Sequence, residues 1–189
     1  LCYVLSLPTI EKIIFSTKDE RLTNEIKHLG LTVEYQAYNF VMKNEVTTNF
    51  KMKLATMDEY EVIHKTFTEL PFMDYKIKIP NKEVYISYDE QGNLISIGIL
   101  DPMLLPENRV CVGMEVVKSQ RNNGYGTKTI EFLVQLLQQQ QIGINARCYY
   151  YNHPSKKTLL KSGFEVSNLL LRVESLISID SDSNSQADY

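Results

Sequence analysis

Two glycines, Gly124 and Gly126, stand where a strand-like run gives way to a helix-like one. Arg121, Asn122 and Asn123 lead into them, Tyr125 separates them, and Lys118 and Lys128 flank the stretch. Such a junction can hold an anion. The first turn of a helix leaves about four backbone N–H groups without internal partners, and the helix dipole adds partial positive charge there. The glycines remove side chains where a phosphate must come close. Arg121, Lys118 and Lys128 can add charge. The expected chemistry is the cradling of a pyrophosphate.

Two familiar cradles do not fit. A Walker A loop needs G-x-x-x-x-G-K-[ST], and the chain lacks it. A dinucleotide fingerprint needs G-x-G-x-x-G in an early βαβ unit. Here Thr129 occupies the third glycine position, and antiparallel strands come first. What does fit is the form [Q/R]-x-x-G-x-[G/A], as Arg121-Asn122-Asn123-Gly124-Tyr125-Gly126. Further on stands a second segment, Asn152-x-x-Ser155 followed by Gly163-Phe164.

These residues need elements to position them. Residues 2–7 read as a strand ended by Pro8, followed by a helical stretch to about His28 with Gly30 as its stop. Residues 31–38 and 50–54 alternate with period two, as half-buried strands do. Thr56 to Glu59 is a capping box, in which each side chain satisfies an orphan N–H. The helix it opens carries Val62, Ile63, Thr66 and Phe67 at helical spacing. Pro71 and Pro80 interrupt the next stretch. Residues 84–88 and 94–100 read as a hairpin around the turn 89–93. A central strand over 109–117 leads into the glycine loop. The helix after the loop buries Ile130, Leu133, Val134 and Leu137 as one stripe. A strand over 144–151, a helix with Leu159 and Leu160 inside, and a strand over 164–173 complete the pattern. The Ser/Asp-rich end reads as a disordered tail.

The two motifs, in this order and among these elements, resemble the GNAT N-acetyltransferase superfamily over about residues 50–173. The resemblance implies an α/β fold: a mixed, mostly antiparallel sheet, splayed at its centre and flanked by helices. It implies an acetyltransferase-like domain over 46–174, beside which residues 1–45 read as a small α/β extension and 175–189 as the tail. It implies acetyl-CoA as cofactor and a primary amine, on a small molecule or a protein, as acceptor. The backbone of Val116 and Lys118 would hydrogen-bond the pantetheine arm. The N–H groups from Arg121 through Asn122, Asn123, Gly124, Tyr125 and Gly126 to Thr127 would hold the pyrophosphate. Asn152 and Ser155 would contact the cofactor. The amine attacks the thioester directly, an N–H near Val116 steadies the oxyanion, and no covalent enzyme intermediate is needed.

One position departs from the pattern. Many members carry an acid Tyr seven residues after the Asn, and here Leu159 stands there. A phenol among Tyr149, Tyr150 and Tyr151 can substitute, with Tyr150 the candidate, although strand alternation sends neighbours to opposite faces. Glu115 is the candidate base. Each has a plainer reading: Glu115 as a paired carboxylate, the tyrosines as strand packing. The rival function is a catalytically silent acyl-CoA-binding module. His153 reads as a solvated cap neighbour and the Gln138–Gln141 run as the polar face of a helix end. Lys156 and Lys157 read as an exposed helix face, with the 3′-phosphate of coenzyme A as an alternative use for one of them.

Composition bounds the rest. The 189 residues are 43% hydrophobic and 23% charged, with a formal net charge of −3. That suits a globular domain and provides no global basic field for nucleic acid or anionic lipid. No apolar run approaches the roughly 20 residues that cross a bilayer. Cys2, Cys111 and Cys148 are scattered, as are the three histidines. Reduced thiols in a cytoplasmic protein without a metal site are expected, and exposed strand edges near the N-terminus allow a homodimer.

Overall fold

A computed structural model describes residues 12–68, 74–104, 106 and 108–174. The expected strand over 2–7 and the tail over 175–189 lie outside them.

The first strand, β1 (Lys12–Thr17), occupies residues expected to be helical. It pairs with residues 169–174, and Ile13, Ile14 and Phe15, β-branched or aromatic, suit the pleated surface that pairing makes. Helix α1 (Glu20–His28) begins later, capped by the Asp19 side chain, which accepts from Arg21 N–H. Strand β2 (Thr32–Met42) runs four residues past the expected end. Strand β3 (Lys53–Leu54) is only two residues long. A 3-10 turn (Met57–Glu59) carries the capping box and leads into α2 (Tyr60–Thr66). Ile63 and Phe67 are buried there, but Val62 points out to solvent. Helix α3 (Tyr75–Lys78) is a single turn that was not foreseen. The hairpin follows as β4 (Val84–Tyr88) and β5 (Leu94–Pro102), then β6 (Arg109–Val116). Helix α4 (Tyr125–Gln139), β7 (Gly143–Tyr149), α5 (His153–Lys161) and β8 (Phe164–Glu174) complete the order. On α5 only Leu159 is buried; Leu160 is exposed.

The strands form one sheet in the order β1-β8-β2-β7-β6-β5-β4-β3. Strand pairing is antiparallel for β1–β8, β3–β4, β4–β5 and β5–β6, and parallel for β6–β7. This is the expected mixed, mostly antiparallel sheet. Contacts group the chain into two units. One holds the described residues of Leu1–Ala37 and Asn168–Tyr189, the other Tyr38–Ser167. The first unit buries Ile26 and Val173 together with Ile13, Phe15, Leu31 and Val33.

The second unit has two apolar clusters. The stripe of α4 packs with Val110, Val112, Ile144 and Ala146 on one set of strand positions. Helices α2 and α3 pack Ile63, Phe67, Tyr75 and Ile79 with Ile97 and Ile99. Helix α4 sits close to β5: a Cβ at Gly98 would come within 3.0 Å of the Leu133 side chain. A buried hydroxyl chain fixes its register. Ser96 Oγ lies 2.7 Å from Ser87 Oγ and 2.6 Å from Thr129 Oγ1. This explains why a threonine, not a glycine, follows the loop.

The Gln run does more than face solvent. The Gln138 side chain donates to Asn44 O at 2.7 Å and accepts from Val46 N–H at 3.0 Å. Gln135 accepts from Thr48 N–H at 2.6 Å. The two glutamines thereby hold an extended segment as a neighbouring strand would.

Two stability tests follow. Ser96→Ala leaves the Ser87 and Thr129 hydroxyls buried without their shared partner, and should cost about 1–3 kcal/mol in urea unfolding. The Glu59 carboxylate accepts from Lys53, Tyr88 and the Thr56 N–H. Burial works to raise its pKa, but these hydrogen bonds outweigh it and hold the group below its ordinary 4.5. A depressed carboxylate stabilises the fold above its unfolded pKa and loses that contribution as pH falls through the folded value. Glu59→Gln should therefore flatten the acid limb of a stability–pH curve below about 4.5.

Candidate active site

The site begins where β6 and β7 stop pairing. Their parallel register runs from Arg109↔Gly143 to Val112↔Ala146. Beyond it β6 continues to Val116 and β7 to Tyr149. The gap this leaves is the expected central splay. Val117 N–H bonds Ile95 O on β5 at 2.9 Å. A trans peptide points its two polar groups in opposite directions. Val116 C=O therefore faces away from β5, into the gap, and in an extended strand the Val116 N–H shares that side.

The Arg121 side chain reaches back to this point. Its Nε donates to Val116 O at 3.0 Å, and its guanidinium lies 3.9 Å from Glu115 Oε1. So one residue of the glycine loop touches both the strand edge expected to hold pantetheine and the expected base. Lys118 lies in a 3-10 turn (Lys118–Gln120) before the loop.

The loop has the conformation its residues allow. Asn122 has φ 66° and Gly124 has φ 80°, both left-handed. Asparagine tolerates that region and glycine enters it without strain. Gly124 is the N-cap of α4 and supplies no capping side chain. The N–H groups of Tyr125, Gly126 and Thr127 thus start the helix without intrahelical partners. A Cβ at Gly124 would meet nothing within 4 Å. Gly126 differs from the expectation that it clears space for a phosphate. A Cβ there would point at the Met114 side chain, at 3.3 Å, and at Thr158, at 3.4 Å. Its missing side chain serves the packing of α4 on β6. Lys128 sits over the Tyr125 ring, 5.2 Å from its centroid. Open backbone, first-turn N–H groups and flanking Arg121 and Lys128 fit a pyrophosphate.

Across the gap, Asn152 caps α5: its side-chain oxygen accepts from Ser155 N–H at 3.1 Å. The chain leaves β7 at Tyr149, so Tyr150 and Tyr151 lie in the turn and strand alternation does not govern them. Tyr150 stacks on Tyr38 at 4.9 Å, and Tyr151 meets it edge-on at 5.1 Å. Lys156 lies over the other ring of that stack, 3.7 Å from the Tyr38 centroid, rather than on an open helix face. Leu159 is 3% exposed and belongs to the α4 cluster. Burial pushes the Cys111 and Cys148 thiols up, away from thiolate character.

Glu115 is 7% exposed and lies opposite Ile97 on β5. It therefore shares the sheet face of α2 and α3, not that of α4. Nothing in the sequence marked Tyr75, which packs over the same face with Ile97 and Ile99. A four-residue helix has too little periodicity to show. Among the described residues no three His, Cys, Asp or Glu side chains gather as a metal site, and no helix is long and apolar enough to cross a membrane.

Residues 52–164 match the model of the Acetyltransferase (GNAT) family. The chain belongs to that family. Solved structures agree on the fold at low identity. An acetyltransferase of the GNAT family from Colwellia psychrerythraea superposes with a TM-score of 0.73 at 16% identity, over 88% of this chain and 65% of its own. A GCN5-related N-acetyltransferase from Sphaerobacter thermophilus gives 0.61 at 9% identity, over 88% of this chain and 61% of its own. One from Kribbella flavida gives 0.55 at 11%, over 87% and 68%. The chain thus spans less than two thirds of the first two. A comparison with curated proteins finds no match.

The two loop glycines of this GNAT chain should respond differently to a methyl group. Gly124→Ala forces a left-handed alanine and should cost about 1 kcal/mol in urea unfolding without any clash. Gly126→Ala keeps its backbone, and its cost should be largely recovered when Met114 is shortened to Ala.

Proposed function

We propose that this GNAT chain transfers an acetyl group from acetyl-CoA to a primary amine. The observation that carries the reading is the junction of the splayed β6–β7 gap with the glycine loop that opens α4. Acetyl-CoA supplies the acetyl group as an activated thioester. The first-turn N–H groups from Tyr125 to Thr127, with the loop from Arg121 to Gly124, hold the pyrophosphate. Val116 and Lys118 offer strand-edge groups to the pantetheine arm, and Asn152 and Ser155 meet it from α5. The Arg121 contact to Val116 O must yield for that, and an anion at the loop is what draws the guanidinium off. Val116 N–H, facing the gap, is placed to steady oxygen charge as the amine attacks. Glu115 takes the ammonium proton, and Tyr150 stands in for the acid that Leu159 cannot be.

The buried Leu159 also favours a second reading, a module that holds acyl-CoA without turnover.

Acetyl-CoA should raise the melting temperature saturably, equivalent to about 2.7 kcal/mol at 100-fold over Kd. Gly124→Glu should abolish the shift, while NAD should give none. No shift at millimolar acetyl-CoA in folded protein would remove the cofactor assignment. A shift without thiol release in the presence of amines would leave only the binding module.

A further inference from the structure

Helix α3 is short but firmly docked. The Asp74 side chain accepts from Lys76 N–H at 3.0 Å. Lys78 donates to Glu83 at 2.9 Å and to Asp101 at 2.8 Å. Between these ties, Tyr75 is driven into the apolar cluster and is 3% exposed. Its ring is well accommodated there, but its hydroxyl has no hydrogen-bond partner among the described residues. A buried hydroxyl in that state destabilises the fold, and phenylalanine would fill the same space without that cost. Such a group calls for an explanation at a site where a ligand could supply the missing bond.

Two observations place the hydroxyl relative to the candidate site. Tyr75 packs against Ile97 and Ile99, and Ile97 lies directly opposite Glu115 in the β5–β6 register. Tyr75 and Glu115 therefore share one face of the sheet beside the gap. Burial first, and then the Glu115 charge, raise the Tyr75 pKa, so the phenol stays protonated at any working pH.

We propose that the Tyr75 hydroxyl is an acceptor-binding group, which holds the incoming amine nitrogen next to Glu115. This rests on the acyl-transfer reading above. The amine arrives as an ammonium. Glu115 takes one proton, breaking one N–H bond and forming one carboxyl O–H. The neutral nitrogen keeps two N–H bonds and gains a lone pair. The Tyr75 oxygen accepts one of those N–H groups, which turns the lone pair toward the thioester carbon. The group's place on a docked helix, rather than on a loop, makes that orientation repeatable.

The test is Tyr75→Phe, assayed by thiol release from acetyl-CoA with ethylamine, L-lysine, spermidine and a lysine-containing peptide. The KM for whichever amine reacts should rise about tenfold, the size of one neutral hydrogen bond. The KM for acetyl-CoA should not change, and the melting temperature should hold or rise. In a double-mutant cycle with Glu115→Gln, the two losses should be non-additive. Wild-type-like amine KM in Tyr75→Phe overturns the inference and leaves the acyl-transfer reading standing. So does a fall in melting temperature accompanied by weaker acetyl-CoA binding, because the hydroxyl would then be structural. No thiol release by the wild-type protein with any of the four amines removes the acyl-transfer reading, and this inference with it.

Discussion

The parallel ladder between β6 and β7 stops at Val112↔Ala146, and the rest of the candidate site depends on that stop. Paired to their ends, the strands would bury the Val116 carbonyl in a ladder. Parted, they expose one backbone edge within reach of a helix N-terminus. Opening a sheet at its middle is expensive, since each unpaired buried polar group loses a hydrogen bond. The flanks must therefore be rigid. Strand β5 holds β6 in antiparallel register from Ser96↔Val116 to Pro102↔Val110. The Ser87–Ser96–Thr129 hydroxyls and the tight Gly98–Leu133 contact hold α4 to β5. Loop, strand edge and helix start are thus all tied to β5.

Much of this frame was legible because its signals are periodic. The α4 stripe of Ile130, Leu133, Val134 and Leu137 is buried as its spacing requires. The hairpin around Gly92 forms where its turn residues stand, with Asp89 accepting from Gln91 and Asn93 N–H groups. The capping box at Thr56–Glu59 is present. The errors fell where tertiary contacts outweigh local pattern. Lys12–Thr17 has no strong alternation of polarity, and pairing with β8 makes it a strand. Val62 and Leu160 are apolar at helical spacing but face solvent, since a stripe does not say how wide the covered face is.

The site was readable only in part. Glycine spacing announced a turn at a helix start, because left-handed backbone demands particular residues. It did not separate the two roles: Gly124 supplies conformation and Gly126 supplies clearance for Met114. The bond from Arg121 to Val116 O joins a loop side chain to a strand backbone, and no spacing rule encodes it. Tyr75 was invisible for a related reason. Its importance lies in an oxygen left without a partner among the described residues, a property of three-dimensional packing alone.

The glutamine clasp on residues 44–48 joins positions 87 to 94 residues apart in the chain. Contacts that distant carry a high loop-closure cost and reward the chain only after both sides have ordered. The clasp is then a late-closing seam, held by neutral amides that acid and salt barely touch. The Lys53–Glu59 tie, a short way along the same strand of sequence, loosens in acid. Residues 44–59 thus carry two fasteners with different sensitivities, and acid should release one while leaving the other shut.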